Sequence, residues 1–310
     1  MNLAGAIQSI GSIIVIVFIG YVLSKKGFFR EGDSEVFSKI VCNLSLPLMM
    51  INTLCKNFTR DMLGQMLYGM LIPLASIAIS YLFSCIFGRW IKVKKRLGVF
   101  KVIFVASNTI YIGMPLNQAI FGEESLPYVL VYYLANTLFF WTLGIYLISR
   151  DGIGRGSRPS FKKLLSPPLA AFLIGIMLVS FNITLPEVLT DVCSYIGGMT
   201  TPLSLLFIGM TFNSVRLRDI LIDRDTIFVF AGRFIISPVI VYLLAMAIPV
   251  PDLMEKVFIV QASLPVIAQA AIISKNYGAD YKYAATVITL STLAGLVTIP
   301  GWVILLGILS

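Results

Sequence analysis

Two stretches of polar residues sit where a purely apolar segment would carry leucine. The first reads Val105-Ala-Ser-Asn-Thr-Ile-Tyr-Ile-Gly-Met-Pro-Leu-Asn-Gln and holds Asn108, Thr109, Gly113, Pro115, Asn117 and Gln118. The second reads Gln261-Ala-Ser-Leu-Pro-Val-Ile-Ala-Gln, with Pro265 flanked by Ser263 and Gln269. Proline removes a backbone donor and clashes with the preceding turn, so each segment is expected to kink or unwind near it. After each break a new half-helix is expected to start with proline near its first position, its free N–H groups pointing toward the middle. Two opposed half-helix N-termini make a positive site without a fixed cation, and an anion is the natural substrate. The plainer reading, that the prolines only kink packed helices, stands beside this one.

Other side chains narrow the chemistry. Asn136-Thr137 and Ser291-Thr292 lie at matching distances past a glycine, and both substrate contact and interhelical glue fit them. Arg233 is the one clear ionisable residue deep in an apolar segment; it reads either as a functional cation or as a side chain that snorkels to the surface. The chain has no histidine, which removes the usual proton shuttle, His-dependent nucleophile triads and His-ligated metal sites. No acidic residue lies in the interior of the segments bearing these polar groups. Proton coupling through a buried carboxylate is therefore disfavoured, whereas an anion leaving an inside-negative cell gains ~2.3 kcal/mol per charge per 100 mV. Sodium held by carbonyls and hydroxyls stays open. No cofactor and no metal are expected.

The elements that must position these residues follow from composition. Of 310 residues 58% are hydrophobic and only 13% charged, against roughly a quarter charged in a soluble domain. Apolar runs mark ten candidate spans at about 5–23, 36–55, 66–87, 99–121, 126–149, 164–181, 190–212, 226–248, 254–275 and 282–306. The first lacks the basic region and cleavage site of a signal peptide, so it reads as a retained span. Cys42, Cys55, Cys85 and Cys193 form no C-x-x-C pair and read as packing residues. The glycines of the polar linker 150–163 neither follow a strand nor open a helix, so it reads as flexible and not as a nucleotide loop.

Basic residues crowd the odd-numbered connections, as in Arg89, Lys92, Lys94, Lys95 and Arg96, while the even-numbered ones hold Lys56, Arg60 and Lys256. The positive-inside rule then puts both termini outside. The net charge of +9 is a topology signal and requires no nucleic-acid partner. The linker divides the chain into 1–149 and 164–310, each with five spans. Lys101-Val-Ile-Phe-Val opens span four and Lys256-Val-Phe-Ile-Val span nine; Pro47-Leu48 and Pro202-Leu203 sit at matching depth in spans two and seven. Five is odd, so the second repeat is inverted, an arrangement typical of secondary transporters with a midplane site.

On its motifs the chain resembles the auxin efflux carrier family in its short, bacterial malate-permease-like form, and is distantly similar to plant PIN carriers. The stretches that carry this are Asn43-Leu-Ser-Leu-Pro-Leu, Ala106-Ser-Asn-Thr-Ile-Tyr-Ile-Gly-Met-Pro, Arg233-Phe-Ile-Ile-Ser-Pro, and Leu264-Pro through Tyr277-Gly into Ser291-Thr-Leu and Ile299-Pro. The resemblance implies an all-α membrane fold like those of NhaA and bile-acid symporters, with broken, crossing helices four and nine. Spans one, two, six and seven would form a scaffold, and three to five with eight to ten a mobile unit that carries an organic carboxylate by an elevator-like shift. Asn108 and Pro115 would sit at the crossover, with Pro265 and Gln269 opposite. Plant members carry a second proline where this chain reads Ala268-Gln269-Ala270-Ala271, and their long cytoplasmic loop is replaced here by the linker.

The expected function is secondary transport of a small organic anion across a bacterial-type inner membrane by a multi-pass protein. The substrate set is Asn108, Thr109, Gly113, Pro115, Asn117, Asn136, Ser263, Pro265, Gln269 and Thr292, with Arg233 as an anion-binding or structural cation. The expected partners are the anion and the lipid bilayer, with a homodimer left open. A sodium-coupled symporter and a non-transporting membrane sensor are the alternatives. An enzyme is not expected, because the residues for intramembrane proteolysis or metal-dependent transfer are missing.

Overall fold

Every regular element among the described residues is helical, with no β-strand. The computed structural model describes residues 3–30, 32–152, 166–213 and 223–309, so most of the expected linker lies outside the described residues. In chain order the helices are α1 Leu3–Lys25, α2 Asp33–Asn57, α3 Met62–Trp90, α4 Leu97–Val105, α5 Met114–Phe121 and α6 Glu123–Asp151. They continue with α7 Pro167–Ser180, α8 Glu187–Phe212, α9 Arg224–Ala247, α10 Asp252–Ala262, α11 Gln269–Asn276 and α12 Tyr281–Gly307.

Six of these, α2, α3, α6, α8, α9 and α12, are each long and apolar enough to cross a membrane. The ten continuous runs expected from hydropathy thus give fewer full-length helices, for two physical reasons. α1 has 23 residues, long enough for a hydrocarbon core of ~30 Å, whereas α7 has 14, or ~21 Å at 1.5 Å per residue. Expected spans four and nine are interrupted, into α4 with α5 and into α10 with α11.

Proline shapes several of the others. A π-helical turn covers Val41–Ser45 just before Pro47, another Thr109–Gly113 before Pro115, and a third Gly232–Ile236 before Pro238. Proline offers no N–H to the carbonyl four residues earlier and pushes that carbonyl away, so the turn upstream widens. Near Pro238 the freed carbonyl belongs to Phe234, and it accepts the indole N–H of Trp302 at 2.8 Å. Gly122 and Gly278, the glycines that follow the interrupted segments, both take positive φ (82° and 68°), where a side chain is strained.

The chain folds into two compact units. One comprises Met1–Tyr68, Ile110–Val131 and Leu165–Ser214. Within it α1 packs along α8, α2 lies against α7 and α8, and α5 sits beside α1 and α8. Small residues let the helix backbones approach closely, as membrane packing favours: a Cβ on Gly20 would lie 2.6 Å from the Leu206 carbonyl oxygen, and one on Gly209 would meet the Val17 carbonyl.

The other unit comprises Gly69–Thr109, Tyr132–Leu164 and Val215–Ser310. Here α4 is central, with α3, α9, α11, α12 and the end of α6 packed round it. Its residues Val99, Phe100, Val102, Ile103 and Phe104 are wholly buried. Arg96, just before α4, pairs with Asp223 and with Asp225 (2.9 Å), lies 3.7 Å from Asp280, and stacks 3.8 Å over the Tyr283 ring. One guanidinium therefore ties the N-terminal ends of α4, α9 and α12. Asp223 also caps α9 by accepting the Thr226 N–H at 3.0 Å, where negative charge complements the helix dipole.

Two expectations follow. Gly209→Val forces a side chain into the Val17 backbone; overpacking of this kind costs about 1–3 kcal/mol, read as a lower melting temperature of the purified protein. Burial alone would raise the Asp223 carboxyl, but Thr226 and Arg96 hold it below the ordinary carboxylate range. Its stabilising effect is then fully present above the unfolded pKa of ~4 and is lost as pH falls through the lower folded value. Asp223→Asn should lower the melting temperature at neutral pH and flatten the acid limb of a stability–pH profile; an unchanged profile would show that the Arg96 node contributes nothing.

Candidate functional site

α4 ends where Ala106 turns extended (φ −82°, ψ 129°), and α10 ends at Ala262. The two interruptions lie side by side as an isolated antiparallel bridge between Ser107 and Val266. The Asn108 N–H donates to the Pro265 carbonyl at 2.9 Å, and the Ile267 N–H to the Ala106 carbonyl at 3.1 Å. Pro115 stands in the first turn of α5, but the chain is already helical from Thr109, so Pro115 lies six residues past the restart and does not open the half-helix as expected. Pro265 does not start a half-helix: it precedes α11 by four positions, inside the bridge. The reason is chemical, because at this place of the bridge only a carbonyl is used and the missing N–H of proline costs nothing.

Side chains satisfy the backbone groups that the bridge leaves over. Asn136 accepts the Ser107 N–H through Oδ1 and donates Nδ2–H to the Ser107 carbonyl, both at 3.0 Å. Ser291 Oγ accepts the Val266 N–H at 3.2 Å. Asn136 and Ser291, which the sequence places equivalently, thus hold the two central residues of the bridge. Arg233 is wholly buried in the π-helical turn before Pro238. Its guanidinium donates to the carbonyls of Val105 (2.7 Å), Ala262 (2.8 Å) and Leu264 (2.9 and 3.1 Å), the ends of α4 and α10. Gly232 lets α9 come this close, since a Cβ there would strike the Phe104 ring.

The remaining residues of the expected set divide into committed and uncommitted. Ser263 Oγ donates to the Val260 carbonyl at 2.9 Å, Thr292 Oγ1 to Ile288 at 2.7 Å, and Asn117 Nδ2 to Gly113 at 2.7 Å. Thr109 is buried and its N–H returns to the Ser107 carbonyl. By contrast the amides of Asn108, 5% exposed, and of half-buried Gln269 make no side-chain hydrogen bond among the described residues. Two more uncommitted groups were not expected: the hydroxyl of Ser107, and Gln261, which is fully buried with neither amide atom bonded. A buried polar group without a partner costs about 1–3 kcal/mol, and Ser107 and Gln261 set such groups beside the same interruption. Only their neighbourhood to Pro265 and Asn108 in sequence could have pointed to them.

The other unit carries a polar cleft of about 270 Å³, lined by Asn52, Thr53, Lys56, Pro115, Gln118 and Thr201 among others. The Thr201 hydroxyl donates to Gln118 Oε1 at 2.9 Å. In sequence Lys56 reads only as a topology charge, yet Asn52 and Lys56 are four residues apart on one face of α2. Among the described residues no group of three or more Cys, Asp or Glu could hold a metal ion.

The family described as "Membrane transport protein" matches residues 6–158 and 158–303 of the chain. An uncharacterized transporter of Methanothermobacter thermautotrophicus is 28% identical over 314 residues, covering 99% of this chain and all of that protein. An uncharacterized transporter of Methanocaldococcus jannaschii is 25% identical over 300 residues, covering 94% of this chain and 97% of the relative.

Asn136→Ala leaves the Ser107 N–H buried without a partner, at about 1–3 kcal/mol, and takes from the Ser107 carbonyl one of its two donors, the Thr109 N–H remaining. Its melting temperature should fall further than that of Ser291→Ala, which frees one N–H; the reverse order would mean that Ser107 is not held as described.

Proposed function

This chain belongs to the membrane transport protein family, that of the auxin efflux carriers, and on that premise we propose that it carries a small organic anion such as a carboxylate across the cell membrane. The observation that supports this best is the pairing of two interrupted helices whose backbone is satisfied by neighbours while Asn108 and Gln269 keep free amides. Carboxylates are recognised by such donors and by the first N–H groups of a helix, here those of α11. Of the expected set, Asn108, Gln269 and Thr109 contact the anion, whereas Asn136, Ser263, Pro265, Thr292 and Arg233 position the backbone. Gly113, Pro115 and Asn117 shape the start of α5, and Pro115 and Gln118 give the polar cleft of their own unit a part in the route of the anion.

The transport cycle is alternating access. Six long helices, α1, the shorter α7 and the two interrupted segments together supply ten crossings, arranged as inverted repeats over 1–149 and 164–310 with both termini outside. α1, α2, α7 and α8 serve as scaffold, and the helices bearing the interruptions move in an elevator-like shift. Among the described residues no buried carboxylate accompanies the amides, which favours movement down the membrane potential over proton exchange.

Solid-supported-membrane electrophysiology on proteoliposomes, over mono- and dicarboxylates with and without sodium, tests this reading. A carboxylate-dependent current without sodium is expected, and a current that requires sodium would instead establish a symporter. Asn108→Ala and Gln269→Ala should each lower the current at least tenfold, the scale of a lost charge-assisted hydrogen bond, with the protein still inserted. Unchanged currents in both variants would sink the assignment of the interruption as the binding place.

A further inference from the structure

Interrupted helices set side by side are electrically self-cancelling. Each first half presents a C-terminal end worth roughly −0.5 charge, and each second half an N-terminal end worth roughly +0.5. Unaided, the region where they meet has no preference between a cation and an anion. This chain breaks that balance with one residue. The Arg233 guanidinium, wholly buried, donates to the carbonyls of Val105, at the end of α4, and of Ala262 and Leu264, at and just past the end of α10. These are the two negative ends, and their combined charge of roughly −1 is met by a side chain that stays protonated in proteins. No carboxylate lies in ion-pair distance of Arg233 among the described residues. The N-terminal end of α11, next to the uncommitted Gln269, is left without a counterweight.

We propose that Arg233 is the specificity-determining residue for charge: by neutralising the carbonyl ends of α4 and α10 it makes the interruption region accept anions, without touching the substrate itself. The inference rests on the proposed anion site and adds what selects the sign of its ligand. It also accounts for the choice of arginine. A planar fork reaches three carbonyls at once, whereas a lysine would bring the same charge with a compact ammonium that cannot span them.

The test separates charge from geometry. Wild type, Arg233→Gln, Arg233→Lys and Tyr132→Glu are reconstituted and compared for inhibition of the carboxylate current by lactate and by lactamide, a neutral analogue of the same shape. Tyr132 is wholly buried in the same unit as Arg233, so Tyr132→Glu keeps the guanidinium and adds a carboxylate to its buried surroundings. A unit charge ~8 Å from the anion at an effective dielectric of ~20 changes affinity about thirtyfold. The preference for lactate over lactamide should therefore fall about thirtyfold in Arg233→Gln and at least tenfold in Tyr132→Glu. Arg233→Lys should keep the preference within a few-fold while transporting more slowly. Where Arg233→Gln is not recovered as a monodisperse protein, the Tyr132→Glu ratio decides alone. A wild-type preference that persists in a folded Arg233→Gln or Tyr132→Glu overturns the inference and leaves the transport reading intact. Absence of any carboxylate current in the wild type overturns both.

Discussion

Backbone polar groups that leave a helix inside an apolar slab must find partners within the protein, and the arrangement around Ser107 and Val266 is governed by that requirement. Breaking α4 and α10 frees carbonyls and N–H groups that water would satisfy in a soluble protein. Here each interruption supplies part of the other's need through Asn108 with Pro265 and Ile267 with Ala106. The rest is met by Asn136, Ser291 and Arg233. Most of the polar residues that stand out in this part of the chain are answers to this one constraint.

That constraint also separates two kinds of polar side chain. Asn136, Ser291, Arg233, Ser263 and Thr292 bond to backbone, so their chemistry is consumed in holding a shape. Asn108 and Gln261 are as deeply placed yet have no side-chain partner among the described residues. In a medium where unpaired polar groups are costly, such groups persist when they serve binding. On the proposed function this division suits a protein that must release its ligand: rigid polar contacts fix the geometry and neutral amides, in place of fixed charges, are left for the substrate.

Much of this was legible in the residues. Pro115 and Pro265, each among amides and hydroxyls in an otherwise apolar run, mark both interruptions. The matching offsets of Asn136-Thr137 and Ser291-Thr292 mark a shared role. What those residues bond to was not legible, because one span-five asparagine looks the same whether its amide faces a ligand or a neighbouring backbone. Pro115 and Pro265 were both expected to open half-helices; Pro115 stands past the restart, and Pro265 lies in the bridge, since only a neighbouring strand-like segment makes its missing N–H harmless. Lys56 of the polar cleft carried no signal beyond its charge.

The sequence by itself determined that the chain is a membrane-embedded helical protein of its family, without histidine and without an acid in the interior of the segments bearing its polar groups, because composition and hydropathy report the solvent of each segment directly. It also marked the two segments that break, because prolines among amides and hydroxyls stand out in apolar runs, although Pro47, Pro238 and Pro300 leave their helices continuous. Only the tertiary structure decided which polar groups are occupied by folding. It turned Arg233 from an even choice between two roles into a cation seated on the ends of two helices. Hydrogen-bond partners some 30 to 130 positions away in the chain, such as Leu264 and Val105 for Arg233, are set by packing, and no local pattern encodes them.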